Sequence, residues 1–381
     1  MIDGSTGILI GALSVVTSVY WIIIFIDTLY GRRFVSTLSG RKDTFKEKLP
    51  GVSIIVTAKD EERSIGRSLR TLMKLDYPDF EVIVVDDRST DKTLDEIAEV
   101  QKVWSGLKVI SIDTLPDGWL GKNYACYRGY TDATKDILLF TDADVIFKPD
   151  ALRIAVMFFC SEKDDHLAVS PLIYGESFLL RLFVQYFLFS FLIYFRPWAG
   201  GMGVGAFNMF RREAYERAGT HRAVSLRPDE DLQIGKRVKK AGLRQRFASG
   251  KHFVSVRWYA TLREAMRGIE KNAFAGLRYS IVIAAGAMAG QTLIFLFPFI
   301  AVFITAGWTQ LLYIAVLIMM VSVYLLHIRV FSKSRGYDVI FLPVSALLFI
   351  ITIGRALIKT VIQGGIHWRG TFYPLRDLRK S

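Results

Sequence analysis

One stretch of this chain combines an apolar run with two acids at its end, Asp136-Ile137-Leu138-Leu139-Phe140-Thr141-Asp142-Ala143-Asp144. Its apolar run predicts a buried strand, and the Asp-x-Asp at its end places two carboxylates at the rim of a sheet. Paired carboxylate oxygens suit Mg²⁺ or Mn²⁺ that also binds a diphosphate, so Asp142 and Asp144 are candidate metal ligands. The alternative is that both acids are turn and cap residues before a helix starting near Pro149.

Strand and helix patterns alternate on both sides of this stretch, from about Pro50 to Leu277. The predicted strands cover residues 52–58, 81–85 and 107–112, and the predicted helices cover 64–75 and 93–103. Such alternation predicts an α/β fold with a largely parallel sheet flanked by helices. Ligands of such sheets bind beyond the carboxyl ends of the strands.

Three polar clusters follow three of these strands, namely Lys59-Asp60-Glu61, Asp86-Asp87 and the Asp142/Asp144 pair. On one rim they would repel one another unless a cation or a hydrogen-bond donor joined them. Asp86 or Asp87 could accept hydrogen bonds from a nucleobase N–H or a ribose hydroxyl. Capping of the next helix, by Asp91 in particular, is the simpler interpretation and is compatible with the first.

Two further motifs carry groups suited to a phosphorylated donor. In Gly118-Trp119-Leu120-Gly121-Lys122-Asn123, glycines, a lysine and a helix start form a candidate anion site, although an exposed loop lysine is the usual reading. Arg257, followed by Trp258, could stabilise charge on a departing diphosphate.

The acidic triplet Asp229-Glu230-Asp231 precedes a helical pattern that runs to Lys240. It could simply cap that helix. It could also supply the general base that deprotonates an acceptor hydroxyl, because an alcohol is a poor nucleophile until its proton begins to leave. The glycines of 200–205 offer either close backbone approach to a substrate or plain packing.

Composition indicates a soluble domain joined to membrane segments. The 381 residues are 51% hydrophobic yet 22% charged, with a net charge of +13. The basic residues cluster near apolar segments and form no recognisable reader motif, so nucleic acid is not an expected partner. The only cysteines, Cys126 and Cys160, are compatible with a reducing compartment.

Ile8 to Ile26 contains no charged residue and is long enough to cross a bilayer as a helix. Basic residues follow it, which predicts an uncleaved anchor with its amino terminus outside rather than a signal peptide. Ile281 to Leu326 predicts two further spans with a turn at Thr305 to Gln310.

Two apolar segments are harder to place. Val339 to Gly354 is short and contains Pro343, and a crossing there would put the basic tail outside the cell. It is therefore re-entrant or interfacial, or else the tail breaks the positive-inside tendency. We interpret Ser177 to Phe195 as a helix at the membrane interface or over a lipid entrance, with a buried core helix as the alternative.

The ordered motifs resemble those of the membrane-bound family 2 glycosyltransferases, which have a GT-A fold. The resemblance covers about Val52 to Ser280. Its elements are Val56-Thr57-Ala58-Lys59-Asp60-Glu61, Val85 to Asp91, Gly118 to Asn123, Asp142-Ala143-Asp144, Glu230-Asp231-Leu232 and Arg257-Trp258. Gly118 to Asn123 and the closing Trp368-Arg369-Gly370 resemble the ceramide, hopanoid and carotenoid glycosyltransferase-like branch.

This resemblance implies roles for individual residues. Asp142 and Asp144 would hold the metal and diphosphate, and Asp231, with Glu230 and Arg257, would be catalytic. The donor, usually a UDP-sugar, would be bound by Ala58, Lys59, Asp60, Glu61, Asp86, Asp87, Lys122, Asp142, Arg257 and Trp258. Val254 occupies the first position of the family's Gln/Arg-x-x-Arg-Trp motif, and this departure favours a single transfer over processive synthesis.

The sequence thus predicts an inverting, metal-dependent transfer of one sugar to the hydroxyl of a membrane lipid. The protein would lie in the bacterial inner membrane with its catalytic domain in the cytoplasm. A processive polysaccharide synthase and a non-catalytic scaffold are the alternatives. The expected organisation is an anchor (1–30), a basic linker (31–49), a GT-A domain (50–277), membrane segments (278–362) and a basic tail (363–381).

Overall fold

The computed structural model describes residues 4–38, 48–277, 279–368 and 371–378. The chain divides into two units. The helical unit consists of residues 1–33, 175–196 and 259–366, and the sheet unit of residues 34–174, 197–258 and 367–381. Parts of the predicted basic linker (39–47) and basic tail (369–370 and 379–381) lie outside the described residues, as do Arg369 and Gly370 of the closing motif.

The strands and helices have the following bounds. The strands are β1 Ser36–Thr37, β2 Val52–Ala58, β3 Phe80–Asp87, β4 Leu107–Ile112, β5 Ile137–Asp142, β6 Val145–Phe147, β7 His166–Ser170, β8 Leu172–Tyr174, β9 Asn208–Arg211, β10 Gln245–Ser249, β11 Val254–Arg257, β12 Gly365–Trp368 and β13 Thr371–Pro374. The helices are α1 Gly4–Gly31, α2 Ile65–Leu72, α3 Thr93–Val103, α4 Gly121–Asp132, α5 Ala151–Ser161, α6 Phe178–Phe195, α7 Arg212–Arg217, α8 Glu230–Lys240, α9 Leu262–Gly276, α10 Ile281–Gly290, α11 Phe297–Ile304, α12 Gly307–Phe331, α13 Leu342–Gln363 and α14 Leu375–Leu378.

The sheet unit is built on an eight-stranded mixed sheet in the order β1-β10-β7-β9-β5-β2-β3-β4. Its strands are parallel except β9, which runs antiparallel to both β5 and β7. A smaller sheet, β6-β11-β8, completes the unit. The predicted α/β, GT-A-like fold is confirmed, and β9 is the antiparallel strand that makes the sheet mixed.

The core of this unit follows from the buried runs that the sequence contains. All seven residues of β2 are buried. Ile54 and Val56 join the core on one face of the sheet, while Ile55 joins the core on the other. Successive side chains of a strand point to opposite faces, so a strand buried on both faces is a nearly continuous apolar run.

The predicted elements coincide with the observed ones except at their ends. The decisive strand ends at Asp142, so Asp144 lies in the turn before β6. Helix α2 spans Ile65–Leu72 and is shorter than predicted, and α5 begins at Ala151 rather than at Pro149. The N-cap position of α3 is Lys92, and Asp91, one residue earlier, accepts a hydrogen bond at its Oδ1 from the Thr93 amide at 3.0 Å.

The helical unit contains helices that are long and apolar enough to cross a membrane. Among the described residues there are five such segments, namely Ser5–Gly31, Phe178–Ala199, Ile281–Ile304, Gly307–Phe331 and Tyr337–Gln363. The third combines α10 and α11 with a π-helical stretch, Gln291–Leu296, between them. The chain leaves the helix at Thr305 and Ala306, inside the predicted turn.

Helix α13 ends at Gln363 and thus extends well beyond the apolar run of Val339 to Gly354. Pro343 does not break it, because this residue lies in the first turn, where a backbone N–H has no helical partner to lose.

The chain also divides differently from the predicted boundaries. Residues 175–196, which contain α6, and residues 259–277 belong to the helical unit rather than to the unit that carries the central sheet.

Candidate active site

The carboxyl ends of three neighbouring parallel strands bring the predicted acidic clusters to one edge of the sheet. β2 lies between β3 and β5, with Ala58 opposite Asp86 and Thr57 opposite Asp142. Ala58 is fully buried, and its methyl side chain carries no polar atom. The strand register therefore sets the Asp86 and Asp142 side chains on either side of β2.

The loops after β2 and β3 are tied together. Lys59 Nζ bonds the carbonyl oxygen of Arg88, and the Thr90 amide donates to Asp60 Oδ1 at 2.7 Å. Asp60 and Arg88 both have positive φ, 54° and 56°. Backbone strain of this kind in residues other than glycine persists only where the surroundings hold it, and it collects at ligand sites.

Asp86 and Asp87 differ in what they can offer a ligand. Both are buried. Asp87 Oδ1 accepts from Arg88 at 2.8 Å, and a Cβ at Gly121 would lie 2.0 Å from Asp87 Oδ2, so its carboxylate is enclosed. Asp86 Oδ2 accepts from the Ser89 amide at 3.2 Å, while its Oδ1 has no hydrogen-bond partner among the described residues. A buried orphan acceptor suits a donor N–H or hydroxyl of a ligand.

Lys122 joins the metal-ligand candidate to the acidic triplet. This second residue of α4 places its Nζ 2.7 Å from Asp142 Oδ1 and 2.9 Å from Glu230 Oε1. Burial alone would lower its pKa, but the Asp142 and Glu230 carboxylates hold the pKa of Lys122 well above its ordinary value. The lysine is therefore a permanent cation between β5 and α8, and it is not the exposed loop lysine of the simpler interpretation.

Asp231 lies in the first turn of α8 and is held by two backbone amides. Leu232 N–H donates to its Oδ1 at 2.8 Å, and Gly205 N–H donates to its Oδ2 at 2.9 Å. A Cβ at Gly205 would meet both Asp142 Oδ2, at 2.9 Å, and Lys122 Nζ, at 3.0 Å. The glycine thus lets the backbone pass between the two carboxylates.

Burial and the neighbouring Glu230 carboxylate raise the pKa of Asp231 to about 7. A carboxyl group that exchanges its proton near neutral pH is matched to general base catalysis. The acids of the triplet Asp229-Glu230-Asp231 also differ in their charged neighbours. Asp229, and not Asp231, is neutralised locally, by Arg227 at 3.0 Å.

Asp144 lies close enough to the Asp142 carboxylate for that charge to affect its pKa. Burial, followed by the charges of Asp142 and Glu61, raises its pKa to about 8. No group of three or more His, Cys, Asp or Glu side chains suited to a metal occurs among the described residues. Two carboxylates leave the remaining positions to water and substrate phosphates, which is how Mg²⁺ usually binds. The pair therefore fits a divalent cation that arrives with a diphosphate.

A small cavity underlies these groups. It is lined by Thr57, Lys122, Cys126, Phe140, Thr141, Asp142, Gly205, Asn208, His221, Glu230 and Asp231. His221 receives a hydrogen bond from Tyr215 Oη at its Nδ1, 2.6 Å away. Burial and the charge of Lys122 lower the pKa of His221 to about 3, so the imidazole is neutral. Asp142 and Asp231 thus line one cavity.

The remaining predicted residues lie elsewhere on the sheet unit. Arg257 is exposed at the end of β11, and Trp258 packs partly buried against the core. Neither lines the cavity. Sequence reasoning missed His221 and Asn208, and it noted Gly205 only as part of a flexible stretch. Isolated polar residues between apolar ones have no spacing that could have revealed them.

Comparison with known proteins is consistent with this geometry. Residues 53–219 match the family Glycosyl transferase family 2. The chain is 26% identical over 241 residues to the 4,4'-diaponeurosporenoate glycosyltransferase of Staphylococcus haemolyticus, covering 61% of this chain and 62% of that protein. It is 28% identical over 218 residues to the enzyme of the same name from Staphylococcus aureus, covering 55% and 56%. The chain thus spans less than two thirds of the length of these relatives.

A solved structure shares the fold. The mannosyltransferase PcManGT from Pyrobaculum calidifontis, in complex with GDP-Man and Mn²⁺, aligns with a TM-score of 0.53 at 17% identity. The alignment covers 93% of this chain and 99% of that one.

Proposed function

We propose that this chain, in which residues 53–219 are a glycosyl transferase family 2 domain, moves one sugar from a nucleotide diphosphate sugar to a hydroxyl of a membrane lipid. One observation carries the proposal. Asp142, Lys122, Glu230 and Asp231 surround a single cavity at the carboxyl edge of a sheet that has the GT-A-like fold. A leaving-group site and a base would thus lie at the same cavity.

The donor side of the reaction falls to the ends of β2, β3 and β5. The free Oδ1 of Asp86 would accept from the base or ribose of the nucleotide. Asp142 and Asp144 would hold Mg²⁺ or Mn²⁺, which supplies charge stabilisation for the departing diphosphate. PcManGT contains Mn²⁺, and we propose an ion of the same class here on account of the two carboxylates. UDP is the nucleotide that the motif resemblance implies.

The acceptor side falls to α8. Asp231 would take the proton of the acceptor hydroxyl while the oxygen of that hydroxyl attacks the anomeric carbon of the sugar. The new bond forms on the face opposite the departing diphosphate, so the configuration inverts. Lys122, which pairs with Glu230, would limit the repulsion that Asp231 feels once charged. Arg257, which is exposed, would act only after a movement towards the diphosphate.

A lipid acceptor is supported from two directions. The helical unit provides five segments able to cross or lie in a bilayer. The relatives named above carry the name of an enzyme that glycosylates 4,4'-diaponeurosporenoate. We propose that the protein is embedded in the inner membrane and that its sheet unit faces the cytoplasm, where nucleotide sugars are made.

The experiment is transfer from a panel of nucleotide sugars by purified protein with a bacterial lipid extract and Mn²⁺. We expect Asp231→Asn to lower kcat by about 10²- to 10⁴-fold with little change in the KM for the donor, because only the proton transfer is lost. Asp95→Asn, an exposed acid in the first turn of α3, is the matched control. Near wild-type turnover by Asp231→Asn would exclude this residue as the base.

A further inference from the structure

A buried amide network holds the glycine-rich loop of residues 200–205 in place. We term these residues the glycine loop. The centre of the network is Gln245, the first residue of β10. Its Oε1 accepts from the amides of Gly201 and of Met202, the latter at 3.1 Å, and its Nε2 donates to Met202 O at 2.9 Å. One side chain therefore bonds both the N–H and the C=O of Met202, near the start of the loop.

The network extends into the sheet through two neighbouring strands. Gln245 Nε2 lies 2.5 Å from Nδ1 of His166 on β7, and Nε2 of that ring lies 2.5 Å from Oδ1 of Asn208 on β9. Burial lowers the pKa of His166 to about 4, so the ring is neutral and accepts at Nδ1 while donating at Nε2. His166 and Asn208 are both buried. The amide orientation of Gln245 is thus fixed by partners on both of its atoms.

The loop that this network fixes is in van der Waals contact with the helix that carries the proposed base. Gly235 of α8 has no room for a side chain, since a Cβ there would lie 2.5 Å from Met202 C and 2.6 Å from Gly203 N. A Cβ at Gly203 would lie 1.9 Å from the carbonyl oxygen of Asp231. Gln245 Nε2 also reaches Gly235 O at 3.2 Å.

The far end of the loop delivers one of the two amides that orient the Asp231 carboxylate. Gly205 N–H donates to Asp231 Oδ2, as described above. Among the described residues, the side-chain hydrogen bonds of Gln245 go to the loop, to Gly235 and to His166, which in turn bonds Asn208 of the cavity lining. The two N–H groups of its amide are shared among three acceptors, and all of its backbone partners lie in the loop or in α8.

We propose that Gln245 is a positioning residue of the transfer reaction, which holds the glycine loop so that the Gly205 amide fixes the Asp231 carboxylate. The inference rests on the proposed function. It requires no movement of Gln245 and no contact with substrate. Its effect on the reaction is transmitted through Gly201, Met202 and Gly205.

Two substitutions test the role. Gln245→Leu removes every hydrogen bond of the amide, and Gln245→Glu keeps the acceptor oxygen but sets an oxygen against Met202 O and Gly235 O. Gln101→Leu is the matched control, because Gln101 donates to a single carbonyl, Leu107 O at 3.2 Å, at the edge of the sheet unit. All variants are compared per folded molecule, at a temperature well below the midpoint of unfolding.

We expect both Gln245 variants to lose about 10- to 100-fold in kcat while the KM for the donor stays within about twofold. The acidic limb of kcat/KM should also move to higher pH, since losing the Gly205 hydrogen bond disfavours the ionised carboxylate. The charged groups that face Asp231 there, Glu230, Lys122 and Asp142, are unchanged in these variants. The limb does not depend on the amount of active protein, so a purely structural role would leave it in place.

The outcome separates this inference from the proposed function. If Asp231→Asn is inactive but both Gln245 variants keep the wild-type kcat and pH limb, Gln245 has no positioning role. If Asp231→Asn is fully active, the proposed base itself is wrong. A Gln245 variant that loses stability but keeps the limb overturns the inference in the same way.

Discussion

At the scale of the residue, the central feature is that acids of the same charge sit in different surroundings. Asp229 pairs with Arg227 and Glu230 pairs with Lys122, whereas the Asp231 carboxylate accepts hydrogen bonds from two backbone amides. Burial and the Glu230 charge raise the pKa of Asp231 to about 7. Groups of one chemical type acquire separate roles through their environment.

This pKa predicts how the reaction depends on pH. Asp231 must be ionised to act as a base, and its raised pKa keeps it protonated below about pH 7. We expect kcat/KM to fall about tenfold per pH unit below 7 and to level off above it. The measurement is the pH profile of kcat/KM between pH 5.5 and 8.5 at saturating metal. An acidic limb near pH 4 would mean that Asp231 is not the titrating group.

The sign of the stability change provides a control on the same residue. The pKa of Asp231 is higher in the folded protein than the value of about 3.9 expected when unfolded. Ionisation is thus disfavoured by folding, and stability falls as pH rises from about 4 to about 7. Asp231→Asn removes this loss, so the inactive variant should be the more heat-resistant protein at pH 8 and should match the wild type near pH 4.

Lys122 predicts how the metal enters. Its ammonium group bonds Asp142, so it competes with any cation that binds there without a diphosphate. We expect Lys122→Met to bind Mn²⁺ about tenfold more tightly than the wild type when no donor is present, because a like charge has been removed. Electron paramagnetic resonance of free Mn²⁺ measures this without reference to turnover.

Lys108→Met is the control for that experiment, since Lys108 pairs with Glu81, 2.6 Å away on the half-exposed surface. Its affinity for Mn²⁺ should equal that of the wild type. Unchanged Mn²⁺ affinity in Lys122→Met would show that Asp142 is not a ligand of the ion.

At the scale of the element, α4 links the two halves of the site. Beside Lys122, the fully buried Asn123 donates from its Nδ2 to three carbonyl oxygens, those of Val224 at 2.6 Å, Ser225 at 3.2 Å and Arg227 at 2.9 Å. These residues precede the acidic triplet. The first turn of α4 therefore sets the place of α8 relative to β5.

Asn123→Asp tests this link. The substitution replaces the donor by an oxygen facing three carbonyls, and we expect it to destabilise the protein by about 2–4 kcal/mol and to lower kcat. Thermal unfolding and turnover are the measurements, and Gln101→Glu, at a single partly exposed carbonyl, should change neither. Wild-type stability in Asn123→Asp would show that α4 is held by other contacts.

The sequence predicted the elements that pattern alone determines. The apolar runs of β2 and β5 and the acids at their ends were identified because parallel strands share an edge. The roles of Asn123 and Gln245 cannot be predicted from the sequence. Their partners lie on segments that are brought near by the strand order β10-β7-β9-β5. That order depends on crossovers and on the antiparallel insertion of β9. The length of α13 does not follow from the sequence pattern, because a proline inside an apolar run indicates an interruption, whereas Pro343 lies in the first turn of the helix.

At the scale of the whole molecule, contacts inside the helical unit bear on which helices cross the membrane. Helices α1 and α12 run in the same sense, because Tyr313 Oη donates to Ile10 O near their starts while Trp21 and Tyr324 both contact Phe189 further on. Their carboxyl ends therefore lie on one side.

Helix α6 lies across those ends. Gln185 bonds Ser332, just after α12, and Arg196 pairs with Asp27, near the end of α1. Eleven residues of helix, about 16 Å, thus separate two contacts at the same level, which a crossing helix would not allow. This favours the interfacial interpretation of α6.

Helix α13 accompanies α6. Phe341 contacts Phe178, and Phe349 contacts Tyr186, at ring distances of 5.1 and 5.7 Å. Further along, Arg355 pairs with Glu270 of α9, 2.8 Å away. We propose that α13 also lies in the interface, which leaves three crossings and keeps the basic tail on the cytoplasmic side.

Reporter fusions test this topology. A fluorescent protein fused after Ser381 should fluoresce, and alkaline phosphatase there should be inactive, because an interfacial α13 would keep the tail in the cytoplasm. Alkaline phosphatase fused after Ala306, between α11 and α12, should be active and serves as the control. Active phosphatase at the carboxyl terminus would mean that α13 crosses the membrane.

The proposed function as a whole is tested most directly by mass spectrometry of lipids from cells that contain the wild-type protein, the Asp142→Asn variant or neither. Our account predicts one lipid that is heavier by a single sugar residue in the wild-type cells and missing from the other two. A ladder of several added sugars would indicate processive synthesis. Identical lipid profiles in all three cells, with the wild-type protein shown to be folded and supplied with nucleotide sugars, would contradict the transfer of a sugar to lipid.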